Sequence, residues 1–282
     1  MDIHKQAAAD VARIDNPLER AAKAHELVTS LFEASGEASR VRREAIEELT
    51  RTSGMTNTEV GKRLGLTRSR VSQLLSSGPS PERALLSHDG GAVTIALGSK
   101  VQEVGGSPSD MISRDATEAY EVVRDALDSY GVKSAKEIVP APGLVQLNRD
   151  RLIVMGSPKV LPTVGEILGS DPNVAFGEDD QGRHLIEKRS GTIHRSPQDD
   201  GATSDYAYIG RLPRPDGAGS FLYLAGIHAA GTHGAARYLV DNAPELHKQV
   251  KDKLFSLIIR ADYESRERTI SNTKAVSSVF IR

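Results

Sequence analysis

Phe221-Leu-Tyr-Leu-Ala-Gly226-Ile-His228-Ala-Ala-Gly231-Thr232-His233-Gly234-Ala-Ala-Arg237-Tyr238-Leu239 is an apolar run, then a glycine-rich turn, then a helical pattern. Strand, glycine turn and helix in that order form the unit from which a partly parallel sheet is built. Such a turn offers backbone N–H groups and the positive end of a helix dipole, a setting for phosphate or carboxylate. Gly226, His228, Gly231, Thr232 and His233 are the candidate ligand contacts. The pattern is neither Gly-x-Gly-x-x-Gly nor a P-loop. The same glycines also permit close packing of a helix on a strand with no ligand, and the residues alone leave both readings open.

A second stretch repeats the arrangement: Arg151-Leu-Ile-Val-Met-Gly156-Ser157-Pro158-Lys159 reads as strand, small polar turn and helix start. Two such turns at strand C-termini can face each other where the strand order of a sheet reverses. Gly156, Ser157, Pro158 and Lys159 therefore join the candidate ligand site. Asp205, Tyr206 and Arg211 join it from a third strand and its exit, to read a ribose, a base or a phosphate, although Asp205 equally suits capping a turn. Further strands are expected at 92–97, 173–176, 184–187, 254–260 and 276–281. Helices are expected at 113–129, 161–168, 232–241 and 243–255. The sum is a Rossmann-like α/β domain over 91–282 with a partly parallel sheet.

Toward the N-terminus the residues change character. Up to about residue 76, Ala, Glu, Arg and Leu dominate at helical spacing, predicting an all-helical domain over 1–76. Asn16-Pro17 starts a helix that Gly36 is expected to break, and a second runs over 38–51 with Val41, Ala45, Ile46 and Leu49 inward. A Pro/Gly-rich linker is expected over 77–90.

Between them lies Thr56-Asn-Thr58-Glu59-Val60-Gly61-Lys62-Arg63-Leu64-Gly65-Leu66-Thr67-Arg68-Ser69-Arg70-Val71-Ser72-Gln73-Leu74-Leu75. Thr56 with Glu59 is a capping box. Val60 and Leu64 are expected inward, Gly65 supplies a positive-φ turn, and Thr67 caps a second helix with Val71, Leu74 and Leu75 inside. This predicts a helix-turn-helix over 56–75. Arg68, Ser69, Arg70, Ser72 and Gln73 are left on the outer faces of the second helix, the part that enters the major groove in this motif. Arg reads guanine, Gln reads adenine, and Ser adapts to either. Thr58, Lys62 and Arg63 lie where phosphates would pass, and Thr67 joins them as a candidate DNA contact. Lys62, Arg63, Arg68 and Arg70 fall in a stretch with no acid, although the 282-residue chain carries a net charge of only -2.

Gly65-Leu66-Thr67-x-Ser69-x-Val71-Ser72-Gln73-Leu74 resembles the helix-turn-helix of region 4 in extracytoplasmic-type sigma factors and related actinobacterial regulators. It departs from a sigma factor in lacking, ahead of it, the aromatic-bearing region that melts promoter DNA. The second half resembles the ligand-type domain of uncharacterised actinobacterial helix-turn-helix proteins, in residues 78–84, 205–216 and 224–231. That resemblance implies an architecture and brings no ligand with it.

Composition narrows the rest. There is no cysteine, which removes disulfides and thiolate chemistry. No run reaches the ~18 apolar residues a membrane helix needs, and the first residues carry no apolar core for a secretory signal. A cytoplasmic location is therefore expected. His228 and His233, five apart, do not share a helix face as zinc ligands do. Glu178-Asp179-Asp180 and Asp199-Asp200 read as solvated turns, and His184 and His194 lack an acidic partner at useful spacing. The sequence thus predicts a non-enzymatic, homodimeric regulator that binds double-stranded DNA and senses a small anionic, nucleotide-like effector, with no cofactor assigned. Two alternatives stand beside it: a nucleotide- or NAD-processing enzyme with an accessory DNA-binding head, and a sigma-like partner of RNA polymerase.

Overall fold

Chain contacts divide the protein into two units, Met1–Gly78 and Pro79–Arg282. The computed structural model describes residues 3–77, 81–87, 91–104 and 107–282.

The first unit contains α1 (Ile3–Ala12), α2 (Pro17–Thr52), α3 (Asn57–Leu64) and α4 (Arg68–Ser77). The side chain of Asn16 caps α2 by accepting from the N–H groups of Leu18 and Glu19, with Pro17 in the first turn. The helix then runs unbroken through Gly36, correcting the expected break. One glycine costs about 1 kcal/mol in a helix, less than stopping and renucleating it. Ile46 is buried as expected, but Val41 and Ala45 are exposed.

The capping box forms in full at the start of α3, with Thr56 accepting from the Glu59 N–H and Glu59 accepting from the Thr56 N–H. Gly65 ends the helix at φ 68°, a left-handed conformation that side-chain-bearing residues avoid. Thr67 Oγ1 accepts from the Arg70 N–H at 3.1 Å and so opens α4. Val60, Val71, Leu74 and Ile46 make the core of the unit. Leu64 was expected among them and is instead 48% exposed. Gly61 holds the inner position, because a Cβ there would come within 2.6 Å of the Leu66 carbonyl oxygen.

The second unit opens with α5 (Pro81–Leu86), a helix where a linker was expected. Pro81 suits a first turn, and Ala84, Leu85 and Leu86 are buried, so this stretch belongs to the second unit. Residues 78–80 and 88–90 of the expected linker lie outside the described residues. The chain continues through β1 (Val93–Gly98), β2 (Lys100–Val104), β3 (Ser107–Met111), α6 (Arg114–Ser129), β4 (Ser134–Val139), β5 (Leu152–Met155) and α7 (Pro162–Gly169). It then forms β6 (Val174–Asp179), β7 (Gly182–Glu187), β8 (Thr192–Arg195), a 3-10 turn (Pro197–Asp200), β9 (Ser204–Pro213) and β10 (Ser220–Gly226). Last come α8 (Ala229–Asp241), α9 (Ala243–Val250), β11 (Phe255–Tyr263), β12 (Ile270–Ala275) and β13 (Phe280–Ile281).

The architecture is mixed α/β. An eight-stranded sheet has the order β12-β11-β9-β10-β5-β1-β4, with β13 added on β11. Pairing is parallel across β10-β5-β1-β4 and antiparallel from β10 through β9 and β11 to β12. Strand β5 is buried on both faces, as its unbroken apolar run requires. Ile153 and Met155 enter the core beneath α6, α8 and α9, while Leu152 and Val154 enter the one beneath α7. A hairpin of β2 and β3 and a three-stranded sheet of β6, β7 and β8 stand apart. The strands with no counterpart in the sequence reading are the polar ones: β2, β3, β4, β8 and β12. Among the described residues, no helix is long and apolar enough to cross a membrane.

Candidate functional site

After β1 the chain goes to β4 on one side, and β5 then pairs on the other side of β1. The order therefore reverses between β1 and β5, and a crevice opens at the C-terminal ends of these parallel strands. The two glycine turns meet here, because β5 and β10 are neighbours. A cavity of about 90 Å³ lies between Gly98, Gly156 and Gly226 and the starts of α6 and α8. Of the ligand contacts expected from the sequence, Gly156, Ser157, Gly226, His228 and Thr232 line it, together with Ile227 and Ala229.

The cavity is lined by groups that the sequence reading missed. Lys100 reaches it from β2, Arg183 from β7, and Ser113 from the start of α6. Among the described residues, no acidic side chain lines it. These three groups sit on other elements of the fold, and nothing in a single sequence ties them to glycine turns more than 20 residues away.

The start of α8 is occupied by the protein itself. Asp205 is 0% exposed, and its Oδ2 accepts from the N–H groups of His228 at 2.8 Å and Gly231 at 2.9 Å. Asp205 therefore caps the helix from β9 and does not line the cavity, the alternative the sequence had left open. Burial raises its carboxyl to about 6, against the lowering pull of its hydrogen bonds. A Cβ on Gly231 would overlap this carboxylate, and one on Gly226 would overlap the His228 carbonyl. These glycines are thus required for packing. Thr232 Oγ1 accepts from the Gly226 N–H at 2.9 Å, which closes the turn. The His228 ring meets the Asp199 carboxylate at 2.7 Å, so Asp199 is more than a solvated turn residue.

Other candidates lie elsewhere. Pro158 packs against Gly165 of α7, and Lys159 is exposed outside the lining. Tyr206 packs tilted against His194, with ring centres 5.2 Å apart and the ring planes at 53°. His233 is buried within α8, and that burial lowers its pKa. Arg211 is at the opposite end of β9, beside a second cavity of about 250 Å³. Its guanidinium donates to the carbonyls of Leu85, Lys251 and Lys253, holding the end of α5 and the turn after α9. The two strand histidines do have acidic partners: His194 meets Glu187 at 2.9 Å and His184 lies 3.8 Å from Asp179. Antiparallel register across β6, β7 and β8 creates these pairs, which linear spacing does not reveal. Among the described residues, no cluster of His, Asp and Glu is arranged to hold a metal.

On the first unit, Arg68, Ser69, Arg70, Ser72 and Gln73 are all exposed on α4, while Val71 and Leu74 face the core. Thr58, Lys62 and Arg63 are exposed on α3, and Thr67 at the turn. Arg70 donates to Gln73 Oε1 at 3.4 Å, and Asn57 donates to Ser72 Oγ at 3.2 Å. The chain matches no family model, no curated protein and no solved structure.

Proposed function

We propose that the chain is a sequence-specific DNA-binding transcription regulator whose α/β unit senses a small anionic effector. The observation that carries the reading is the outward face of α4. Five polar residues able to read base edges stand exposed on a helix whose other side is fully committed to a core. In this reading α3, the Gly65 turn and α4 form a helix-turn-helix, with α4 in the major groove. Lys62 and Arg63 contact phosphates, giving the local positive charge that a near-neutral chain needs to bind DNA. A single motif of this kind buries little DNA, so the regulator acts as a homodimer on two half-sites.

Selection of bound sequences from random duplexes tests this. A defined half-site should emerge, and Arg70→Ala or Gln73→Ala should each cost about 1–3 kcal/mol at one base and relax its preference. Unchanged affinity in both variants would show that α4 is not the reading helix.

A further inference from the structure

We infer that the cavity at the ends of β1, β5 and β10 is a site for a phosphomonoester dianion, clamped between Lys100 and Arg183. This names the ligand of the sensing unit. It rests on the reading above only for its effect on DNA binding.

The cavity joins three separate parts of the unit: the β2–β3 hairpin brings Lys100, the small sheet brings Arg183, and the main sheet brings the glycine turns. Two cations therefore converge on one small space, and among the described residues no acidic side chain lines it. Among the described residues neither cationic side chain makes a hydrogen bond or ion pair, Lys100 being exposed and Arg183 half-buried, although Glu178 faces Arg183 in register across β6 and β7. Arginine and lysine left without counter-ions at a cavity wall match an anion of charge near two. Ser113, Ser157 and Thr232 add hydroxyls of the kind that complete a phosphate shell.

Charge and shape select among anions. The cavity opens to solvent at its mouth, so a phosphate group can seat between the cations with the rest of its ligand extending outward. A carboxylate or a phosphodiester supplies a single charge, and a diester also needs space for two ester arms. A terminal phosphomonoester, carrying about -1.5 to -2 at pH 7, satisfies both conditions. Asp205 already takes the N–H groups of His228 and Gly231, so the cations do the reading and the helix end does not.

Calorimetric titration of the full chain with inorganic phosphate, ribose 5-phosphate, AMP, cyclic AMP and adenosine tests the proposal. The monoesters should bind saturably, and cyclic AMP and adenosine should bind at least about tenfold more weakly than AMP. Equal affinity for AMP and ribose 5-phosphate would place recognition on the phosphate alone, and tighter AMP would add the base at the mouth; both support the site. Arg183→Ala and Lys100→Ala should each weaken AMP by about tenfold or more, while Arg183→Lys should recover part of the loss. Absence of monoester binding, cyclic AMP binding as tightly as AMP, or Arg183→Ala binding like the unaltered protein overturns the site. DNA affinity measured with and without AMP separates the two readings. Monoester binding that leaves DNA affinity unchanged removes the sensor role and supports the phosphate site.

Discussion

Asp205 lies beneath the first turn of α8, with no exposed surface and two backbone N–H groups on one oxygen. Burial raises its folded pKa to about 6, whereas an unfolded carboxyl titrates at roughly 4. The folded state therefore binds the proton more tightly, and the stability this group contributes at low pH is lost as pH rises from about 4 to about 6. Asp205→Asn keeps an oxygen acceptor for both N–H groups and removes the titration. Between pH 4 and 7 the variant should gain on the order of 2–3 kcal/mol relative to the unaltered protein. Denaturant unfolding at both pH values measures this, and a constant difference across the range would refute it. The sequence offered Asp205 as ligand contact or cap, and only the closeness of β9 to α8 decides for the cap.

At the scale of elements, α8 shows how a helix is fitted to its sheet. A Cβ on Gly234 would overlap Ala261 Cβ on β11, so glycine sets how closely the two approach. Gly234→Ala should cost about 1–3 kcal/mol by overpacking, despite alanine's better helix propensity. Adding Ala261→Gly should recover part of that loss, giving a coupling that denaturant midpoints can read. A double variant no more stable than Gly234→Ala alone would show that this contact does not limit the packing. The apolar strands β1, β5, β10 and β11 were legible because both of their faces are buried. The hairpin β2–β3 and the edge strands β4 and β12 expose alternate or most side chains and carry no apolar signature.

For the whole molecule, each unit has its own core, and the two differ greatly in size. Among the described residues the first rests on a cluster of four buried apolar side chains, whereas the second holds two extensive clusters on either side of its sheet. Stability rises with the apolar area a unit buries, so the first should melt at lower temperature. Calorimetry should show two transitions, with enthalpies of roughly 50 and 140 kcal/mol if each scales with length. A fragment of residues 79–282 should keep the larger transition and its monoester binding. A single transition lost on cutting would show one cooperative fold and overturn this division.

Local chemistry was sufficient for several features in the sequence alone. The capping box at Thr56, the turn at Gly65 and the buried strands follow from neighbours a few residues apart, where backbone geometry and apolar periodicity act. The two glycine turns were also recognisable, since each is a strand end followed by small residues. Tertiary structure decided what surrounds them. It placed Lys100 and Arg183 at the cavity, Asp205 under α8, Asp199 on His228, and Arg211 at the far end of the sheet. Those positions depend on strand order and register, which bring residues tens of positions apart into contact and leave no mark on the local pattern of side chains.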